Sequence, residues 1–247
     1  MRAITDAARY CYKALALGGL LVLCATPASS ADPPEAMRIL FVGNSYLYTN
    51  DMPARVRQLA KQRGMMLKTQ LRAEPNYALL DHLRVKTFEA LLAQPWDWVV
   101  LQQGPSSLPE SRDELIASAA AIAARLRNKP TRIALLAAWP AERDAASSPA
   151  AEANYRLAAA TIGACVLPVA AAWRLASEGG QLPALYRTDR LHPNRSGTRL
   201  AAMIVVHGLL GEASTPAGNS AGAGSERTMA TIVDAAYAQE PGACKPA

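Results

Sequence analysis

Five short apolar runs alternate along the chain with longer segments in which apolar residues recur every three or four positions. The runs fall at residues 38–42, 65–71, 97–102, 131–137 and 165–169. The first and third, centred on Leu40 and Val99, carry no polar alternation, the pattern of strands covered on both faces. A capping Asn50 or Asp51 followed by Pro53 opens a helix whose apolar stripe is Val56, Leu59 and Ala60, and Gly64 ends it. Helical period then runs through 77–92, with Leu79, Leu80, Leu83 and Leu91 on the packing side. It returns in an Ala-rich 110–127 and in 151–161, 170–178 and 196–210.

Strand followed by helix, about five times over, predicts an α/β domain spanning 37–210 with a largely parallel sheet. Such sheets bind ligands at the carboxyl ends of their strands. Ser45, Gln102 and Trp139 each follow an apolar run and should share that edge. Residues 211–225, rich in Ala, Gly and Ser, read as a flexible linker. Residues 226–247 read as a C-terminal tail with an accessory helix over 226–238.

Composition adds a compartment. The chain of 247 residues is 51% hydrophobic, which supports a core and argues against global disorder. A basic start (Arg2, Arg9, Lys13), an apolar stretch 14–25 and small residues up to Ala31 read as a signal peptide over 1–31. The stretch is too short to span a bilayer, so export to the periplasm or beyond is expected, without stable membrane insertion. Cleavage removes three basic residues and Asp6, bringing the net charge from +6 to a mild +4. The remaining charges are scattered, and no basic stripe or reader motif points to a nucleic-acid partner. Cys11 and Cys24 leave with the leader. Cys165 and Cys244 remain, either as a disulfide pinning the tail or with Cys165 as a buried small hydrophobe. Three histidines without a Cys-x-x-Cys or His-Glu-x-x-His pattern make a protein-built metal site unexpected.

Attack on an ester needs a nucleophile, a base to take its proton and a group to orient the base. Gly43-Asn44-Ser45 closes the first strand and delivers a serine to its rim, with Gly43 permitting a sharp bend. His192 is the natural base, because imidazole titrates nearest neutrality. Asp189 precedes it on the same loop and can reach its other ring nitrogen, while Pro193 stiffens the loop. An α/β-hydrolase elbow is excluded because Leu47 stands where its second glycine belongs. A Rossmann frame is disfavoured because the first turn lacks Gly-x-Gly-x-x-Gly. Trp139 either stacks on a sugar ring at the rim or covers the sheet end. His82, beside Asp81, reads as a partly exposed helix histidine, and His207 as structural.

Gly43-Asn44-Ser45, together with Asp189, His192, Pro193, Asn194 and Gly197, resembles the first and last blocks of the SGNH (GDSL-like) hydrolase superfamily. The stretch from Trp96 to Ser107, containing Gln102-Gln103-Gly104, looks like the exported branch with a glutamine-bearing third block. The resemblance runs from about Met37 to Leu210. It implies a flavodoxin-like three-layer α/β/α sandwich on a five-stranded sheet, ester hydrolysis through an acyl-enzyme, and no cofactor. By position it makes Ser45 the nucleophile, Asp189 the orienting acid and His192 the base, with the Ser45 N–H as one oxyanion donor.

The chain departs from that pattern in three places. Asn44 stands where the first block usually has aspartate. The second block lacks its glycine, and Asn76 takes the comparable place, offering its backbone N–H. The third block offers Gln102, Gln103 or Ser106 in place of asparagine, with the choice among them open. The expected activity is an exported serine esterase acting on a small acyl group such as acetyl, on a carbohydrate or a small molecule. A non-hydrolytic acyl-binding protein or an acyltransferase on the same fold are the alternatives.

Overall fold

The computed structural model describes residues 35–180, 184–211 and 223–245. The expected leader and most of the expected linker, residues 212–222, lie outside the described residues.

Five strands form one parallel sheet: β1 (Met37–Gly43), β2 (Leu67–Ala73), β3 (Trp98–Leu101), β4 (Arg132–Leu136) and β5 (Cys165–Leu167). Their order is β2-β1-β3-β4-β5, the flavodoxin-like arrangement. The chain leaves β1 toward one side and returns to build the other, so the switch point lies between β1 and β3. Gly43 pairs with Ala73, and Val42 with Leu101, which aligns the loops after β1, β2 and β3 on one edge.

Strand side chains alternate between faces. Ile39 and Phe41 enter one core with α2 (Met52–Gln62), α7 (Val169–Gly179), α8 (Arg195–Leu210) and α9 (Ala223–Gln239). Leu40 and Val42 enter the other, with α3 (Leu79–Leu83), α4 (Lys86–Leu92), α5 (Pro109–Leu126) and α6 (Ser148–Ile162). Two helical layers therefore cover the sheet. The remaining pieces are the short α1 (Ser45–Tyr48) and a 3-10 helix, Glu142–Ser147. No helix among the described residues is long and apolar enough to cross a membrane.

Two expectations change. The helical pattern over 77–92 is broken, because Val85 adopts an extended backbone between α3 and α4. An uninterrupted helix would set Leu83 and Val85 on opposite faces; the break lets both pack against the second core. The helix near the C-terminus is longer than expected and packs into the first core through Met229, Val233 and Ala236.

Of the two readings for Cys165, the disulfide is the one found: it is bonded to Cys244, 79 residues away. Backbone bonds of 2.8 Å from Val166 N–H to Gly242 O and 2.9 Å from Cys244 N–H to Val166 O lay the tail along β5.

Candidate active site

β1 delivers the serine, and Asn44 turns the chain into α1. The Asn44 side chain accepts from Tyr46 N–H (3.2 Å) and donates to Tyr77 O (3.1 Å), while its backbone N–H donates to Gln102 Oε1 (3.0 Å). One asparagine thus ties the loops after β1, β2 and β3 together. Aspartate, the usual residue here, accepts only and would lose the bond to Tyr77. Gly43 is needed for close approach rather than for a bend. Its backbone lies outside the left-handed region, but a Cβ there would lie 2.3 Å from Gln102 Oε1 and 2.8 Å from Leu47 Cδ1.

Ser45 Oγ lies 2.8 Å from His192 Nε2, and His192 Nδ1 lies 2.9 Å from Asp189 Oδ2. A carboxylate only accepts, so Nδ1 carries the proton and Nε2 takes the Ser45 hydroxyl's hydrogen bond. Asp189 Oδ1 accepts two further bonds, from His192 N–H (2.9 Å) and Leu191 N–H (3.0 Å). Desolvation pushes this carboxyl up, but the Leu191 N–H, the His192 ring and the His192 N–H outweigh it and bring its pKa down to about 2.

The loop carrying the histidine is anchored on both sides. Trp139 Nε1–H donates to Leu191 O (3.2 Å), Glu142 N–H to Arg190 O (2.9 Å), and Asn50 Nδ2 to Pro193 O (2.8 Å). Asn194 then caps α8 through Gly197 N–H. Trp139 is therefore not a rim platform: it is 1% exposed and stacked on Trp173 at 3.8 Å between ring centroids.

The oxyanion candidates separate by what they are already bonded to. The Ser45 and Asn76 backbone N–H groups have no partner among the described residues; Asn76 is exposed and left-handed, with φ of 60°. Gln102 is fully buried, its Oε1 held by Asn44 N–H and its Nε2 donating to Gln103 O (2.8 Å), so it braces the turn into Ser45. Gln103 is anchored by its other end. Its Oε1 accepts from Leu79 N–H at the start of α3 (3.1 Å), leaving Nε2 without a partner among the described residues. Ser106 Oγ accepts from Leu108 N–H (3.2 Å).

His82 departs from expectation. It is fully buried, and its Nε2 donates to Gly43 O (2.8 Å), directly behind the turn into Ser45. Burial lowers its pKa, with the Gly43 bond opposing in part, so the ring is held neutral. The sequence held a signal for this: His82 falls three residues after Leu79, on the same helical stripe.

A cleft of about 450 Å3 opens beside these groups, lined by Tyr46, Ser106, Leu108, Asp144 and Leu191 among others. Tyr46 follows the serine and Leu191 precedes the histidine. A larger cavity of about 600 Å3, around Trp98, Arg132 and Cys165, lies where β3, β4 and β5 begin and includes none of these groups. Among the described residues no three His, Cys, Asp or Glu side chains gather as metal ligands.

No protein-family model matches the chain, and no curated protein sequence does. Solved structures do. A proposed SGNH hydrolase from Slackia heliotrinireducens is 25% identical, with a TM-score of 0.60 over 70% of this chain and 98% of that one. A DUF4886 family protein from Bacteroides uniformis is 15% identical, with a TM-score of 0.60 over 83% and 97%. A lipase/acylhydrolase from Enterococcus faecalis is 13% identical, with a TM-score of 0.57 over 69% and 94%. The five-stranded parallel sheet flanked by helices thus matches that of the SGNH hydrolases, and the chain has that fold.

Proposed function

We propose that the protein is a serine esterase acting on small acyl esters, with Ser45 as nucleophile, His192 as base and Asp189 as the group that orients it. The observation that carries this reading is the unbroken line of hydrogen bonds from Ser45 Oγ through His192 to Asp189, at the carboxyl edge of a hydrolase-type sheet. Ser45 Oγ attacks the ester carbonyl as its proton passes to His192 Nε2. The carbonyl electrons collect on oxygen, which the Ser45 and Asn76 N–H groups and Gln103 Nε2 are the free donors to receive. Collapse breaks the bond to the alcohol, which leaves with the proton from Nε2. Water then attacks the acyl group, gives its proton to Nε2, and Ser45 departs with that proton restored. Each oxyanion donor lost from such a site costs about 3–4 kcal/mol of barrier.

The modest cleft, with both polar and apolar walls, supports a short acyl group and a small or carbohydrate alcohol. The apolar leader and the Cys165–Cys244 bond support export, since disulfides persist in oxidising compartments. Purified wild type, Ser45→Ala and His192→Ala are compared on p-nitrophenyl acetate, butyrate and octanoate. The expected result is a fall of about 10³-fold or more in kcat for either variant, and a preference for acetate. Asn76, standing where glycine is usual, favours a second reading: an acyl-binding protein without hydrolysis. Wild-type turnover no faster than that of Ser45→Ala selects it. Product formed on an added alcohol faster than by hydrolysis selects acyl transfer.

A further inference from the structure

Serine and histidine lie 147 residues apart, and their 2.8 Å contact depends on two segments holding one relative position. Three side-chain or backbone anchors grip the carbonyls on either side of His192, at Arg190, Leu191 and Pro193. Two of them, from Trp139 and Glu142, come from the chain after β4. They bond the histidine loop to the chain after β4, and although Trp139 also packs against Tyr46 with ring centroids 4.8 Å apart, neither hydrogen bond comes from the nucleophile's own segment. The third comes from Asn50, five residues after Ser45.

Asn50 joins α1 to α2 with φ of 58°, and Asp51 follows with φ of 50°. Two successive non-glycine residues in the left-handed region are costly, and such strain persists only where the surroundings impose it. For Asp51 the reason is local, since its carboxylate caps α2 through Ala54 N–H (3.1 Å). For Asn50 it is not. Its Nδ2 leaves its own segment and donates to Pro193 O (2.8 Å) and to Thr198 Oγ1 (2.9 Å), on the histidine loop and on α8. Thr198 is buried and donates in turn to Asn194 O (3.0 Å), so the receiving side is rigid.

We infer that Asn50 is a positioning residue of the reaction: its amide couples the nucleophile segment to the histidine loop and sets the Ser45–His192 distance. Among the described residues it is the one anchor of that loop's backbone supplied by the nucleophile's own segment. The inference rests on the proposed esterase reading. It assigns Asn50 no contact with substrate, so loss of the amide should act on kcat and leave KM alone.

The test is Asn50→Gly, which keeps the left-handed backbone open to the chain and removes only the amide. Thr198→Val removes one of its two acceptors. A small misplacement of reacting groups costs on the order of 10²-fold. Asn50→Gly is therefore expected to lower kcat for p-nitrophenyl acetate by about 10- to 100-fold with KM within about twofold, and Thr198→Val by less. In a His192→Ala background, Asn50→Gly should change the residual rate little, because the group it positions is gone. Asn50→Gln tests whether a longer amide restores part of the rate.

A kcat for Asn50→Gly equal to wild type overturns the inference. So does a loss carried by KM, or one equally large in the His192→Ala background. Failure of the esterase reading looks different: wild type itself would be no faster than Ser45→Ala.

Discussion

Gly43→Ala puts one methyl group into the tightest place behind the nucleophile. The added Cβ would lie 2.3 Å from Gln102 Oε1 and 2.8 Å from Leu47 Cδ1, both closer than side-chain carbons tolerate, and 3.0 Å from Gln102 O, which is tight. Leu47 and Gln102 are fully buried, so neither swings away into solvent. If the methyl is accommodated by strain, overpacking costs about 1–3 kcal/mol. If Gln102 moves instead, Asn44 N–H loses its buried acceptor at a similar cost of about 1–3 kcal/mol. Either route gives a fall in Tm of several degrees, at about 2–4 °C per kcal/mol for a protein of this size. The same displacement moves Asn44 and Ser45, so kcat should fall by about 10²-fold while the protein remains folded. Thermal unfolding and p-nitrophenyl acetate turnover are measured for Gly43→Ala, Gln102→Ala and the double variant. Truncating Gln102 also removes the shortest of these contacts, so the double variant should be less destabilised than the two single costs combined, by about 1 kcal/mol or more. Strict additivity, or a Gly43→Ala protein as stable and active as wild type, would refute the reasoning.

Other outcomes follow from the same geometry. Asp189→Asn should lower kcat by on the order of 10⁴-fold at unchanged KM, because an amide no longer fixes the Nδ1–H tautomer; a kinetic comparison at pH 7–8 checks it, the native carboxylate being ionised down to about pH 2. Gln103→Ala should cost about 10²- to 10³-fold in kcat beside the stability lost by leaving Leu79 N–H unpaired, whereas Gln102→Ala should cost chiefly stability; a large fall in kcat for Gln102→Ala with none for Gln103→Ala would move the oxyanion donor to Gln102. His82 binds a proton less readily folded than unfolded, so its contribution to stability is complete above about pH 6.5 and declines as pH falls toward the lowered folded value. Urea midpoints at pH 5 and 8 should therefore diverge more in wild type than in His82→Gln. Reduction of Cys165–Cys244 should destabilise by about 2–4 kcal/mol, given the long loop it closes, and calorimetry with and without reductant measures it.

Much of this was written in the local pattern. The runs centred on Leu40 and Val99, apolar without alternation, read as strands buried on both faces, and with three further short runs separated by helical periods they point to a parallel α/β sheet. Ser45, Asp189 and His192 could be picked out because strand ends and a short Asp-to-His spacing are local properties. The break in the helical pattern over 77–92 is not legible there, because period alone does not say which residues must turn together toward a core, and Val85 turns with Leu83.

What the sequence left open was decided by contacts between distant segments. Gln102 and Gln103 are adjacent and chemically identical, yet one amide is bound at both ends by Asn44 and Gln103 O, and the other is held only by its oxygen at Leu79. The roles of His82, Trp139 and Asn50 rest on bonds to Gly43, Leu191 and Pro193, across 39, 52 and 143 residues. Hydrophobic periodicity fixes which face of an element is buried. It carries no information about which polar atom of another element waits there, and that is set only when the sheet and helices pack.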